Sequence, residues 1–167
     1  MTSISIVRRI QQYDRQVFDR FLRSAERRGW KAANRNFGTG HLTIKDTFVH
    51  ILNVQEAWLV AIANRRWAVF EDPSRSKDAI RSWKELRAYR DRVREQVDRL
   101  MEGLTETALH RRVRAPWMPG RYTLEDAFFQ VSYEQAHHLG EIIGISWQSD
   151  RAPPAMTWIE NLPVRPR

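Results

Sequence analysis

Two side chains in segment 133–141 have the types and the spacing that hold a divalent metal ion. Glu134 and His138 lie four residues apart in a run whose apolar residues recur at helical spacing, so both project from one face of a predicted helix. His50 lies on the inward stripe of an earlier predicted helix. Carboxylates and imidazoles are costly to bury without partners, and one shared cation would satisfy all three groups. The sequence therefore predicts a metal site formed by His50, Glu134 and His138.

The predicted donor set, two imidazole nitrogens and one carboxylate oxygen, leaves positions for water or substrate, as in reactive metal sites. A cation held there would lower the pKa of a water or a thiol and polarise a substrate oxygen. The chain has no cysteine, so nitrogen and oxygen ligands suit Zn, Ni, Fe or Mn, and any thiol must arrive as a cosubstrate. The structural alternative is a hydrogen-bonded core histidine beside a solvated glutamate.

The remaining titratable side chains near these positions are assigned supporting or unrelated roles. Glu56 and Glu141 are candidates to accept hydrogen bonds from imidazole N–H groups, and the favoured alternative is that both are solvated. His137 is about 100° round the helix from His138 and should point elsewhere. His41 and His110 are predicted to be loop or surface histidines, and the alternative is that they reach the mouth of the site. The sequence identifies no catalytic residue.

Four amphipathic helices are predicted from apolar residues that recur every three or four positions. The first covers residues 5–28. The second begins after Thr43, with Asp46 at the capping-box position, and ends near residues 64–66. The third begins after Ser76 and reaches residues 102–103. The fourth begins after Thr123, with Asp126 three residues on.

The predicted fold class is all-α: a four-helix bundle forming one domain over residues 1–167. A long crossover connection over residues 105–122 joins the third and fourth helices, and Val113 to Tyr122 resembles an extended loop or hairpin. The tail from Ser149 onward is rich in proline and should be irregular.

Charge and segment composition limit the functional classes. The net charge is +8, but the basic residues are spread along the chain, so nucleic-acid binding is expected to be unlikely. The sequence contains neither a signal-peptide pattern nor a long uncharged apolar run, and we expect a cytoplasmic protein without a membrane contact. Serine-hydrolase elbows and glycine-rich phosphate loops are also missing from the sequence.

Three blocks of sequence together resemble the DinB/YfiT-like superfamily of metal-binding four-helix bundles: residues 43–50, 56–59 and 134–142. In that family one metal-ligating histidine comes from the second helix and two come from the fourth, spaced His-x-x-x-His. His50 matches the second-helix ligand, and His138 matches the last one. Glu134 departs from the pattern, since it occupies the place of the first fourth-helix histidine.

The resemblance implies an up-down-down-up bundle, often dimeric, so a homodimer is expected. It also implies a thiol S-transferase or a hydrolase that acts on a small electrophilic substrate, with a low-molecular-weight thiol as cosubstrate of the transferase. Trp58, Tyr133 and the connection around Trp117 would line the substrate pocket. Two alternatives stay open: a non-catalytic metal- or ligand-binding stress-response bundle, and a basic nucleic-acid-binding protein.

Overall fold

The computed structural model describes residues 3–158, in which four long helices surround one apolar core. The elements in chain order are α1 (Ser3–Arg28), α2 (Trp30–Ala33), α3 (Ile44–Glu56), α4 (Trp83–Glu102), α5 (Glu106–Leu109), β1 (Arg112–Val113), β2 (Tyr122–Thr123) and α6 (Leu124–Gln148). A π-helical turn, Ala57–Ile62, continues α3, and two 3₁₀ turns follow, Trp67–Glu71 and Pro73–Arg75. The all-α fold class predicted from the sequence is confirmed.

Side-chain contacts fix the direction of each long helix. In the contacts between α1 and α4, residue numbers rise along one helix as they fall along the other, and the same holds for α3 and α6. Both pairs are therefore antiparallel. In the contacts between α1 and α6, the numbers rise together, so these two helices run parallel. The contacts are Arg15–Asp98 and Arg87–Glu26 for α1 and α4, Gln55–Gln135 and His50–His138 for α3 and α6, and Ser132–Asp14 and Arg28–Ser146 for α1 and α6. The bundle is therefore of the up-down-down-up type.

The predicted helix starts are confirmed for α3 and α6. The Thr43 hydroxyl accepts the Asp46 backbone N–H at 2.9 Å. Thr123 and Asp126 form a reciprocal capping box, with the Thr123 hydroxyl accepting from the Asp126 N–H at 3.0 Å and the Asp126 carboxylate accepting from the Thr123 N–H at 2.7 Å. These caps set the register in which His50 and His138 face inward.

The predicted start of the third long helix at Ser76 was wrong. The Ser76 hydroxyl accepts only the Asp78 N–H, a local turn that competes with helix formation. The helix begins six residues later, where Ser82 is extended and its hydroxyl accepts the Glu85 N–H. The segment between the two serines is irregular and buries Ile80 against the core.

The long connection between α4 and α6 contains the predicted hairpin. Strands β1 and β2 pair antiparallel, with Arg112 opposite Thr123 and Val113 opposite Tyr122. Beyond α6 the chain is irregular through residue 158, and the Tyr13 hydroxyl donates to the Met156 carbonyl. The rest of the predicted tail, residues 159–167, lies outside the described residues. In residues 3–158, every helix is too short or too polar to span a bilayer.

Candidate metal centre

Three histidine rings converge between α3 and α6. His50 comes from α3, His138 from α6 and His41 from the loop that precedes α3. Ring centroids are separated by 3.9 Å for His41 and His50, 4.5 Å for His50 and His138, and 4.8 Å for His41 and His138. One nitrogen of each ring lies within 4.8 Å of one nitrogen of the others.

Glu134 extends from α6 toward the same point. Its Oε2 lies 3.2 Å from His138 Nε2 and 4.0 Å from His50 Nε2. The side-chain amide of Gln130 donates to Glu134 Oε1 at 2.8 Å, which fixes the carboxylate with its other oxygen toward the imidazoles. The structure thus brings together all three side chains that the sequence predicted as ligands.

His138 lies between two carboxylates. Its Nδ1 is 3.0 Å from Glu141 Oε2, and its Nε2 is 3.2 Å from Glu134 Oε2. A neutral imidazole carries one N–H, so it can donate to only one of the two. Both carboxylates are satisfied either by an imidazolium, which donates from both nitrogens, or by a neutral ring whose Nδ1–H donates to Glu141 while Nε2 and Glu134 share a cation. A carboxylate that orients a metal-ligating histidine is the usual arrangement in metal sites. The predicted contact of Glu141 with an imidazole is confirmed.

His41 was predicted to be a loop or surface residue, and it does lie in a loop, but one that folds onto the site. The two residues that flank it have left-handed backbones, with φ of 53° at Gly40 and 70° at Leu42. That conformation is costly for a branched side chain such as leucine, and Leu42 is exposed, so its own burial does not compensate. Sequence reasoning missed the position of His41, and the available signal was the glycine directly before it.

Gly40 also lets the loop approach α6. A Cβ added to Gly40 would lie 2.7 Å from the carboxylate carbon of Glu141, the residue that contacts His138. Only glycine fits this close approach without a shift of the carboxylate. The loop, Glu141 and His138 therefore form one packed unit.

The electrostatic environment keeps two of the imidazoles neutral. Burial, assisted by the neighbouring His41 and His138, lowers the pKa of His50 to about 4, whereas Glu141 opposes the shift. Burial also lowers the pKa of His41, again assisted by His138. At neutral pH both rings therefore present lone pairs, the form in which histidine binds metals.

Two other sequence predictions near the site have opposite outcomes. His137 points outward as predicted, with its side chain 57% exposed and its Nε2 3.8 Å from Glu141 Oε1. The predicted contact of Glu56 with an imidazole was wrong. Glu56 lies six residues after His50, about 240° round the helix, and is buried against α4, where it accepts hydrogen bonds from Arg75 and Tyr89.

A cavity of about 430 Å³ opens beside His50 and Glu134. Its aromatic walls are Trp58, Phe70 and Trp117, with the Trp117 ring 6.0 Å from Trp58 and 5.5 Å from Phe70. The predicted lining by Trp58 and the Trp117 connection is confirmed. Such a pocket suits a small apolar molecule whose reactive group reaches the histidines.

Tyr133 does not line this cavity, contrary to prediction. It precedes Glu134 by one residue and is turned about 100° away from it on α6. The Tyr133 side chain consequently faces outward, and the residue is 69% exposed.

A buried polar seam lies next to the site on α6. The Gln55 amide donates to Gln135 Oε1 at 3.1 Å, and the Gln135 amide donates to the Asp14 backbone carbonyl at 2.8 Å. Ser132 donates to Asp14 Oδ1 at 3.1 Å, and Asp14 Oδ2 has no hydrogen-bond partner among the described residues. Burial raises the pKa of Asp14 to about 7, although the Ser132 hydrogen bond opposes this shift.

Comparison with known proteins places the chain in a family. A sequence profile of the DinB superfamily matches residues 13–142, a range that contains all four side chains of the candidate metal centre. No curated protein matches the chain. Since the matched range covers well over half of the 167 residues, the chain belongs to the DinB superfamily.

Proposed function

We propose that this protein is a divalent-metal-dependent enzyme in which His50, Glu134 and His138 hold the metal and His41 supplies a further nitrogen. Members of the superfamily generally bind metals. The observation that carries the proposal is the convergence of the His41, His50 and His138 rings, with Glu134 Oε2 3.2 Å from His138 Nε2.

The chemistry of the donors fits a divalent cation. The neutral imidazoles of His41 and His50 contribute lone pairs, and the carboxylates of Glu134 and Glu141 contribute negative charge. A mixed set of imidazole and carboxylate donors suits Zn, Ni, Fe or Mn. The replacement of the family histidine by Glu134 is compatible with this set, because carboxylate oxygen also ligates these metals.

We propose a thiol S-transferase or a hydrolase acting on a small electrophile. A cation bound at the centre would lower the pKa of a thiol or water and polarise the substrate. Trp58, Phe70 and Trp117 would hold the apolar part of the electrophile beside His50 and limit the access of bulk water. In the transferase reaction the thiol sulfur bonds to the electrophilic carbon, the bond to the leaving group breaks, and the thiol proton is released to solvent.

Metal analysis of protein purified without a histidine tag tests the site. We expect about one equivalent of metal in the wild type and its loss in both His50→Ala and His138→Ala. His137→Ala is the matched control, because His137 is adjacent in sequence but faces solvent, and it should retain the metal. Equal retention by all three variants would contradict the proposed ligands.

Turnover tests the activity separately. Metal-loaded protein is incubated with a chromogenic aryl or alkyl halide and a panel of low-molecular-weight thiols, and thioether formation is followed by mass spectrometry. Thiol-dependent product that is absent from the His138→Ala variant supports a transferase, and thiol-independent cleavage of an ester or amide panel supports a hydrolase. Stoichiometric metal with no product from any substrate favours the alternative, a non-catalytic metal-binding bundle.

A further inference from the structure

A second concave site, separate from the metal centre, lies between the end of the π-helical turn and the hairpin. This arginine groove has a volume of about 470 Å³ and no acidic residue in its lining. Its five arginines are Arg65, Arg111, Arg112, Arg114 and Arg121. All five are exposed.

Some arginines elsewhere in the bundle form ion pairs with acids. Arg90 and Arg94 both pair with Asp19 within 3.1 Å, and Arg87 pairs with Glu26 at 2.6 Å. Within residues 3–158, by contrast, none of the five groove arginines has an acidic oxygen within 4.0 Å. Arg112 is close enough to Asp126 to help lower the pKa of that carboxyl, so it is partly compensated, but the lining of the groove is still net positive.

Backbone contacts hold the like charges together. The Arg111 guanidinium donates to the carbonyl of Ala63, and Arg112 Nη1 donates to the carbonyl of Arg121 at 3.4 Å. Arg65 lies where the helix ends, in a left-handed conformation with φ of 55°. Guanidinium groups fixed in this way repel one another, and a bound anion would offset the repulsion.

We propose that the arginine groove binds a small polyanion, a ligand bearing two or more phosphate or carboxylate groups. Guanidinium groups bind both kinds of oxyanion with paired hydrogen bonds. The volume of about 470 Å³ is that of a small-molecule site. A nucleic-acid strand would instead need cations spaced along its backbone, whereas these five are gathered in one concavity.

The arginine groove adjoins the cavity beside His50 and Glu134. Trp67, which lines the groove, stacks on Phe70 with ring centroids 6.2 Å apart, and Phe70 contacts Trp117 in the lining of that cavity. The two sites are therefore contiguous, but polyanion binding in the groove does not depend on the metal.

Isothermal titration calorimetry tests the proposal on the full chain, with inorganic triphosphate and citrate as probes in 150 mM salt. We expect one site per chain and at least a tenfold loss of affinity in the double variant Arg114→Gln/Arg121→Gln, whose side chains make no structural hydrogen bond within the described residues. The matched control is Arg23→Gln/Arg27→Gln, which removes the same charge from exposed positions on α1 and should change affinity less than twofold.

The two probes identify the ligand chemistry. Binding of triphosphate alone indicates a phosphorylated ligand, binding of citrate alone indicates a polycarboxylate, and binding of both supports the shared polyanion chemistry. Since both probes chelate metals, the titration is repeated with His50→Ala, where we expect the same affinity. Melting curves confirm that each variant is folded.

Three outcomes would overturn the proposal: no heat of binding with either probe, an equal loss in both double variants, or a loss of binding in His50→Ala. A 20-bp DNA duplex that binds more tightly than triphosphate, and that both double variants weaken alike, would point to nucleic acid instead.

Discussion

Two polar clusters border the same cavity, and they differ in how completely their groups are satisfied. In the first, Glu56 Oε2 accepts from Arg75 Nε at 2.7 Å and from the Tyr89 hydroxyl at 2.9 Å. The Tyr89 hydroxyl also contacts Asn53, and the Arg75 guanidinium reaches the carbonyls of Val69 and Asn53. Opposite charges are paired, and no ligand is needed to stabilise the arrangement.

The second cluster, of His41, His50, His138 and Glu134, lacks such closure. Among the described residues, neither His41 nor His50 has a ring nitrogen within hydrogen-bond distance of a partner, and each ring nitrogen of His138 faces a carboxylate. Both clusters remove polar groups from water, which is unfavourable without partners. The closed cluster therefore stabilises the fold, whereas the open cluster is suited to a cation from solution.

The largest effect is expected from breaking the closed cluster. Arg75→Leu leaves the Glu56 carboxylate buried without its counter-ion, and we expect a loss of about 3–5 kcal/mol in the free energy of unfolding. Urea denaturation measures it, and metal content should be unchanged at temperatures where the variant is folded. Arg99→Leu removes an exposed arginine paired with Glu95 and should cost less than about 0.5 kcal/mol. Equal losses of unfolding free energy in the two variants would show that the buried ion pair is worth no more than the exposed one.

Asp14 is a third case: it is buried and one of its oxygens lacks a hydrogen bond, but it belongs to no group of potential metal ligands within residues 3–158. Its folded pKa of about 7 lies above the ordinary value of 3.8 for an aspartate, so the folded state binds the extra proton between these values. Stability should therefore fall as pH rises from about 4 to 7 and level off above that. Asp14→Asn should remove this decline and raise stability at pH 8 by roughly 2–4 kcal/mol. Denaturation curves at pH 4.5 and pH 8 check the sign, and an Asn variant without a pH-dependent advantage would disprove it.

In the open cluster, Glu141 should affect the metal more than the fold. Glu141→Gln weakens the acceptor for His138 Nδ1–H and should reduce metal affinity about 10–100-fold. The free energy of unfolding of the metal-free protein should change by less than about 1 kcal/mol, since the carboxylate is partly exposed. Competition with a chromogenic chelator measures the affinity. Unchanged affinity together with reduced stability would make Glu141 a purely structural residue.

The smallest effect is expected in the loop that carries His41. Gly40→Ala places a Cβ 2.7 Å from the Glu141 carboxylate carbon and should lower metal affinity a few-fold in addition to a loss of about 1 kcal/mol in stability. Gly38→Ala is the matched control, because Gly38 also has positive φ, 72°, but has nothing within 4 Å of its Cβ position. Gly38→Ala should share the stability loss and retain the affinity. If both variants bind metal equally well, the loop does not support the site.

The sequence predicted the elements that depend on local periodicity and capping. Apolar spacing gave the long helices, and Thr43 and Thr123 set the register that directs His50 and His138 inward. The same spacing placed Glu134 beside His138. The helix start at Ser82 rather than Ser76 was missed, because both serines can cap and only tertiary burial of Ile80 distinguishes them.

The missed features depend on long-range packing. His41 reaches the site because a left-handed turn folds onto α6, which no helical period encodes. Glu56 and Tyr133 were assigned to the site from their neighbourhood in sequence, but each lies on a different face of its helix. The homodimer, the thiol cosubstrate and the identity of the metal stay predictions.

A crystal structure of the metal-loaded protein, with anomalous data at the absorption edge of the metal, tests most directly whether His50, Glu134 and His138 hold the metal. We expect one strong peak within about 2.0–2.3 Å of ring nitrogens of His50 and His138 and an oxygen of Glu134, with His41 turned toward it. A peak at His137 and Glu141 on the outer face of α6, or no peak at the three predicted ligands in fully loaded protein, would contradict it.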